Sequence, residues 1–216
     1  VLFCPTEQAI KNLHQEGFKQ FPCTLLNCGD VMQDAALFYA NKAKHPDFLL
    51  PEHFILATLH RAENTDSPER LQSIIAALEE IAREMPAVIP IHPRTRKKLQ
   101  ELNFNFKQTR LQLVDPVGYL EMVYLLKHCS LVATDSGGLQ KEAYFFKKYC
   151  ITLRTETEWV ELVEQGANII TGWRYEDILN SYKQLKHTTK DVFSSPLYGD
   201  GQAGHIIIRE LQRIDS

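Results

Sequence analysis

The sequence predicts an α/β protein built on an open, parallel, doubly wound sheet. From about residue 53 onward, short apolar runs rich in β-branched residues alternate with segments of helical periodicity. Strands and helices that alternate in this way form parallel sheets covered by helices on both faces. Within the stretch 131–143, an apolar run leads into Gly137-Gly138 and then into a periodic helix, which is typical of a ligand-binding junction in such a sheet.

The elements follow from local signals along the chain. The first fifty residues predict a strand near residues 1–5, a helix at 6–16, a strand at 24–28, a helix at 31–44 and a Pro-containing linker at 44–51. The later strands are predicted at 54–60, 88–92, 111–114, 130–134, 150–153 and 167–171. Helices are predicted to begin near 67, 94, 116, 137, 157, 175 and 202. Ser67 is the expected N-cap of the helix that begins near residue 67, with Pro68 at its first helical position.

Composition excludes several functional classes. The chain has 216 residues, of which 44% are hydrophobic and 24% charged, as in ordinary globular proteins. A net charge of −3 gives no electrostatic reason for nucleic acid or an anionic membrane as partner. The five cysteines are an odd number without a CxxC pair, which favours the reducing cytoplasm over a disulfide framework.

The segment Asp135-Ser136-Gly137-Gly138 predicts an anion site. It places the start of a helix at the carboxyl end of a parallel strand, where unpaired N–H groups and the helix dipole both favour phosphate. Glu142 lies one turn further along, within reach of a sugar attached to that phosphate. A tight turn without a ligand is the alternative explanation of the same residues.

Four polar clusters are predicted at the same rim of the sheet, because each follows a strand: 60–64, 92–94, 135–138 and 154–158. Arg61 and Arg154, together with the Gly-Gly helix start, suit a diphosphate. A metal held by His60 and His92 is disfavoured, since these residues are 32 positions apart and lack a second close-spaced ligand pair.

The segment 199–204 matches G-x-G-x-x-G by letter, but no strand precedes it and fewer than fifteen residues follow. We therefore expect a loop before the last helix and not a dinucleotide site.

Six ordered motifs carry a family resemblance: HRAEN (60–64), HPRT (92–95), DPVGYLEMVYLL (115–126), TDSGGLQKEA (134–143), LRTETEWVE (153–161) and YGDGQAGH (198–205). Together they resemble the second domain of the non-hydrolysing UDP-N-acetylglucosamine 2-epimerases, which have a two-domain, glycosyltransferase B-like fold. The segments CGDVMQDA, HRAENTD and TETEWVE resemble the branch that acts on UDP-2,3-diacetamido-2,3-dideoxy-glucuronate. Ala62 and Asp30 depart from the residues that many members have.

The resemblance implies that residues 1–27 end a first domain and that 28–216 form the Rossmann-like, UDP-binding second domain, including the C-terminal helix. It implies an isomerase that eliminates UDP to a glycal and adds it back, without NAD or metal, and commonly as a homodimer. Because the family's acid and base carboxylates belong to the first domain, it also implies that this chain alone binds UDP without epimerising.

The resemblance also assigns roles to single residues. His60 is expected to be catalytic, by stabilising the departing UDP, and His92 matches a position that contacts a second, activating UDP-sugar in some bacterial members. The UDP-binding residues are expected to be Arg61, Tyr119, Ser136, Gly137, Gly138, Glu142 and Arg154.

Two other functions remain open from the sequence. The first is a nucleotide-sugar glycosyltransferase of the same fold, in which two glutamates often lie eight positions apart around the phosphate helix. Here Glu142 would pair with Thr134, which argues against that rival. The second is a non-catalytic UDP-sugar-binding module.

Overall fold

A computed structural model describes residues 1–214. The chain divides into two compact units, one formed by Val1–Lys42 with the segment that begins at Phe193, and the other by Ala43–Val192. The boundary predicted after residue 27 stays a prediction.

The strands, in chain order, are β1 Leu2–Cys4, β2 Leu25–Asn27, β3 Ile55–Thr58, β4 Ala87–Pro90, β5 Gln112–Val114, β6 Leu131–Thr134, β7 Cys150–Thr152 and β8 Asn168–Ile170. The helices are α1 Glu7–Gln15, α2 Val31–Ala40, α3 Ala62–Thr65, α4 Pro68–Ile81, α5 Pro93–Glu101, α6 Tyr119–His128, α7 Gly137–Phe145, α8 Val160–Glu164, α9 Tyr175–Lys186 and α10 Ala203–Ile214. A 3₁₀ turn spans Phe18–Gln20.

In the unit formed by 43–192, six parallel strands pair in the order β5-β4-β3-β6-β7-β8. Within this sheet the chain starts at the central strand β3 and adds β4 and β5 on one side. It then returns to the centre at β6 and adds β7 and β8 on the other side. The two central strands pair in register, with Thr58 opposite Thr134. This order confirms the doubly wound α/β fold, and its switch point lies between β3 and β6.

The sheet is covered on both faces, as a parallel sheet requires. Alternate residues at β3 enter different clusters: Ile55 and Ala57 pack with α4 and α9, whereas Leu56 and the preceding residue Phe54 pack with α6 and α7. The helix α4 begins where the sequence predicts, since the Ser67 hydroxyl accepts a hydrogen bond from the Arg70 N–H. Its inward face is buried at Leu71, Ile74, Ile75, Leu78 and Ile81.

In the other unit, β1 and β2 pair in parallel, and α2 and α10 are in contact. The glycine-rich segment is a loop before α10, in which Gly199 and Gly201 have φ of +94° and +86°. The expected loop is therefore confirmed for residues 199–202, since α10 begins at Ala203. The Cβ of any other residue at Gly201 would lie 2.9 Å from Leu37.

Element boundaries differ from the predicted ones at several helices. The helix predicted over 31–44 ends at Ala40, and the helix predicted from 157 begins at Val160. The four-residue α3 was not predicted. No helix among residues 1–214 is both long and apolar enough to cross a membrane.

The cysteines are unpaired thiols. Burial raises the pKa of both Cys129 and Cys150 to about 12. These two residues therefore act as small apolar groups.

Candidate functional site

The four predicted polar clusters follow β3, β4, β6 and β7, which are adjacent strands of the sheet. Because all strands are parallel, the clusters lie along one edge, at the carboxyl ends. The centre of that edge is the switch point, where doubly wound folds bind their ligands.

A cavity of about 270 Å³ opens at this point, and we call it the switch-point cavity. Its wall contains five of the predicted site residues: His60, His92, Ser136, Gly138 and Glu142. Its remaining wall is mainly apolar and is formed by Thr58, Leu59, Pro90, Pro116, Val117, Met122 and Leu139. An apolar cavity with a few converging polar groups is typical of small-molecule sites.

A larger cavity of about 480 Å³ lies along α4 and the end of α5. It contains none of the predicted site residues and lies away from the switch point. Its wall includes Glu79, which accepts hydrogen bonds from the Thr109 hydroxyl and the Arg110 N–H. Size alone therefore does not identify the site here.

The N-terminus of α7 supplies the anion-binding part of the site. Ser136 is its N-cap, and the Ser136 hydroxyl accepts from the Leu139 N–H at 3.4 Å. The Ser136 N–H donates to the Thr134 hydroxyl, which also bonds Thr58 at 2.6 Å. Gly137 and Gly138 occupy the first turn, where N–H groups have no partner within the helix. The strand end thus fixes the direction in which these donors point.

Asp135 holds the loop that follows β3 in place. Its fully buried carboxylate accepts hydrogen bonds from the backbone N–H groups of His60 and Arg61 and from the Asn64 side-chain amide, at 3.0–3.2 Å. The same Asn64 amide donates to the Leu153 carbonyl at 2.9 Å. The ends of β3, β6 and β7 are therefore tied together by hydrogen bonds.

The two predicted arginines meet at one acidic side chain, Glu158. Arg154 donates two hydrogen bonds to its carboxylate, at 2.7 and 3.0 Å, and the Arg61 guanidinium lies 3.6 Å away. The hydrogen bonds from Arg154 lower the pKa of Glu158 below its ordinary value. The Arg154 Nε is buried without a hydrogen-bond partner within the described part of the chain.

This arginine–carboxylate group lies beside the start of α7. A Cβ at Gly137 would lie 3.4 Å from the Glu158 carboxylate and 3.5 Å from Trp159 Nε1. Trp159 donates from Nε1 to the Gly137 carbonyl at 2.8 Å, and Thr157 donates to Gln140. The segment 157–159 is thus bonded to α7, and a carboxylate occupies the place next to the predicted phosphate-binding turn.

Glu142 lies on α7 at the wall of the cavity. Burial raises the pKa of its carboxyl above the ordinary value, although a hydrogen bond from Tyr119 acts in the opposite direction. The structure therefore brings Tyr119 to Glu142. The role of Tyr119 in binding UDP stays a prediction.

His92 is the N-cap of α5 and accepts the Arg94 N–H at Nδ1, 3.2 Å away. Arg94 in turn pairs with Asp66, and the Thr95 hydroxyl donates to the Leu59 carbonyl. These contacts hold the His92 loop against the end of β3. The predicted role of His92 toward a second UDP-sugar stays a prediction.

Sequence reasoning assigned no individual role to three residues that organise this site: Asn64, Asp135 and Trp159. The signal for Asp135 was its place directly after a fully buried strand, where a charged residue needs partners. No local signal identified Asn64, because its partners are 71 and 89 positions away. Within residues 1–214, no group of three or more His, Cys, Asp or Glu residues is placed to hold a metal ion.

Comparisons with known proteins agree on one family. A family model described as UDP-N-acetylglucosamine 2-epimerase matches residues 1–212. The chain is 50% identical over 217 residues to the UDP-2,3-diacetamido-2,3-dideoxy-D-glucuronate 2-epimerase of Pseudomonas aeruginosa, covering 99% of this chain and 60% of that protein.

Solved structures give the same result. The UDP-GlcNAc 2-epimerase of Methanocaldococcus jannaschii, in complex with UDP-GlcNAc and UDP, has a TM-score of 0.86 at 36% identity, over 98% of this chain and 60% of that one. The Neisseria meningitidis enzyme bound to UDP-GlcNAc has a TM-score of 0.83 at 29% identity, over 98% and 61%. The chain therefore spans about 60% of the length of the relatives that it matches.

Proposed function

The chain belongs to the UDP-N-acetylglucosamine 2-epimerase family, and on that premise we propose that it is the UDP-binding part of a UDP-sugar 2-epimerase. The observation that carries the proposal is the switch-point cavity, where the start of α7, Glu142 and His60 converge. The N–H donors of a helix start suit the diphosphate, and a carboxylate suits the ribose hydroxyls. An imidazole can stabilise the charge that develops when the diphosphate leaves.

In the proposed complex, the diphosphate lies at Ser136, Gly137 and Gly138, with Arg61 and Arg154 as the positive side chains beside it. The start of a helix and the fork of arginine donors both suit phosphate oxygens. Among the described residues the Arg154 Nε has no hydrogen-bond partner, which supports binding of a further acceptor, such as a phosphate oxygen, at this place. Glu142 accepts from the ribose hydroxyls in this arrangement.

We propose that the sugar is epimerised by elimination and re-addition of UDP. Removal of the C2 proton and departure of UDP leave a glycal, and re-addition follows protonation of C2 on the other face. In the complex His60 carries a proton on both ring nitrogens, and its Nε2–H stabilises the negative charge on the departing diphosphate. The chain itself supplies neither NAD nor metal in this proposal.

We expect this chain alone to bind UDP without epimerising a UDP-sugar. Among the described residues that line the cavity, Glu142 is the single carboxylate, and the proposal assigns it to the ribose. Loss of a general acid or base typically slows a reaction about 10²–10⁴-fold. The homodimer and the cytoplasmic location are further parts of this proposal, and the unpaired cysteines support the latter.

The substrate proposed first is UDP-2,3-diacetamido-2,3-dideoxy-glucuronate, because the chain is 50% identical to the Pseudomonas aeruginosa enzyme of that name and 36% identical to the Methanocaldococcus jannaschii enzyme that acts on UDP-N-acetylglucosamine. A UDP-N-acetylglucosamine to UDP-N-acetylmannosamine conversion is the alternative. Proton NMR of both sugar nucleotides, incubated with the complete enzyme in D₂O, distinguishes them. Deuterium at C2 with inversion in one compound identifies the substrate.

A glycosyltransferase of the same fold is less well supported. Thr134, which stands where such enzymes often have a second glutamate, is fully buried and bonded to Thr58. A non-catalytic UDP-sugar-binding module predicts binding with no incorporation of deuterium by the complete protein.

Calorimetry of this chain with UDP tests the binding site. We expect Ser136→Ala combined with Glu142→Ala to abolish binding while circular dichroism shows an intact fold. Glu164→Ala, an exposed position on α8, is the control and should bind as the wild type does. Unchanged affinity in the double variant would remove the assignment.

A further inference from the structure

Asp135 and His60 form a pair at the switch point. Three N–H groups converge on the Asp135 carboxylate, from the backbone of His60 and Arg61 and from the Asn64 amide. The side chain is fully buried. Since all three partners donate, they match an ionised carboxylate, which can only accept.

The imidazole of His60 lies against the same carboxylate. Its Nδ1 is 3.5 Å from Asp135 Oδ1, while 45% of the side chain is exposed and the residue lines the switch-point cavity. Contacts of this kind are often long in an unliganded site and shorten when the ligand binds. The hydrogen bond at one imidazole nitrogen determines which nitrogen carries the proton.

We propose that Asp135 is a positioning residue that holds the His60 imidazole with its proton on Nδ1 and turns Nε2 toward the bound nucleotide. The backbone bonds to His60 and Arg61 fix the main chain, and the same carboxylate then fixes the ring. The inference rests on the proposed function only for the identity of the nucleotide. The tautomer itself belongs to the free protein.

Nitrogen-15 NMR of the histidine rings tests the tautomer in this chain. The spectrum is recorded about two pH units above the ordinary imidazole pKa, and the His60 signals are assigned by their loss in His60→Gln. We expect wild-type His60 to carry its proton on Nδ1. A proton predominantly on Nε2 in the wild type would overturn the proposal without any variant at Asp135.

The Asp135→Asn variant tests whether Asp135 determines the tautomer of His60. An asparagine offers one acceptor oxygen and places an NH₂ group toward existing donors, so we expect the His60 proton to move to Nε2. Asp66→Asn is the matched control: it removes the same charge from the same rim, where Asp66 pairs with Arg94. It should leave the His60 signals unchanged. A folded Asp135→Asn protein with the wild-type tautomer would refute the role of Asp135.

Titration with UDP separates this inference from the proposed function. We expect UDP to shift the Nε2 signal of His60 in the wild type, and to shift it several-fold less in Asp135→Asn. If UDP fails to bind the wild type, the proposed function fails, and the tautomer data still decide the role of Asp135. If UDP binds and leaves Nε2 unshifted, the orientation inferred for His60 is wrong.

Discussion

The Glu158 carboxylate occupies the place beside the start of α7 where the proposed diphosphate binds. It holds Arg154 through two hydrogen bonds and lies 3.6 Å from Arg61. A phosphate that uses the same arginines must first displace it. We therefore expect Glu158→Gln to strengthen UDP binding, because a neutral amide competes less well for the guanidinium groups.

The expected change in affinity for UDP follows from how exposed the Arg154 and Glu158 side chains are. Arg154 exposes 5% of its side chain, whereas Glu158 exposes 49%, so water screens the pair from one side. Charge-assisted hydrogen bonds contribute about 1.5–3 kcal/mol and exposed pairs roughly 0.2–1 kcal/mol, which places this half-exposed pair at roughly 1 kcal/mol. Since about 1.4 kcal/mol corresponds to tenfold in affinity, we expect the Kd for UDP to fall about fivefold.

Calorimetry measures the effect directly. Glu164→Gln on α8 makes the same change of charge at an exposed position, and we expect its affinity for UDP to equal that of the wild type. Weaker UDP binding by Glu158→Gln would refute the reasoning. It would mean that Glu158 orients the two arginines for the ligand and does not compete with it.

Three further predictions concern other residues. Burial raises the pKa of Glu142, so the folded protein binds more protons than the unfolded chain just above the ordinary carboxyl pKa, and stability falls as pH rises through that interval. When thermal unfolding is measured as a function of pH, the Glu142→Gln variant should lose this fall in stability. An unchanged pH dependence would mean that another group causes it. In the complete enzyme, His60→Asn should lower kcat more than substrate binding, whereas a higher KM at unchanged kcat would indicate a ground-state contact. Leu78→Ala, at a buried position of α4, should cost about 2–5 kcal/mol of unfolding free energy in denaturant titrations, and a smaller loss would show that α4 repacks.

The fold was predictable because each strand of the large sheet is short, buried and followed by a periodic helix. Among the described residues, each of the eight strands overlaps a predicted one, although β4 begins one residue before and ends two residues before its predicted bounds, and Ser67 caps the helix that it was expected to begin. Helix ends were less predictable. The helix predicted to reach residue 44 ends at Ala40, and nothing in the local pattern marks that end.

The candidate site was predictable only in part. Residues that directly follow a strand, such as His60 and Ser136, lie at the edge of the sheet by geometry alone. Contacts such as those of Asn64 with Asp135 and Leu153 depend on which strands are neighbours, and the sequence alone does not give that order. The competition that we expect between Glu158 and a phosphate depends in part on Arg61, which follows a different strand, so the sequence alone does not indicate it.

The hydrogen bonds around Asp135 and Thr134 explain how the site can be ready before a ligand arrives. Thr58 and Thr134 link β3 to β6, and Asn64 links both to the end of β7. Groups that are already fixed lose little conformational freedom on binding, so more of the interaction energy remains as affinity. Glu158 is different, because it is half exposed and is held mainly by the arginines that the ligand needs. The conformational change required for binding is therefore expected at residues 157–159, while the α7 turn and the His60 loop keep their positions.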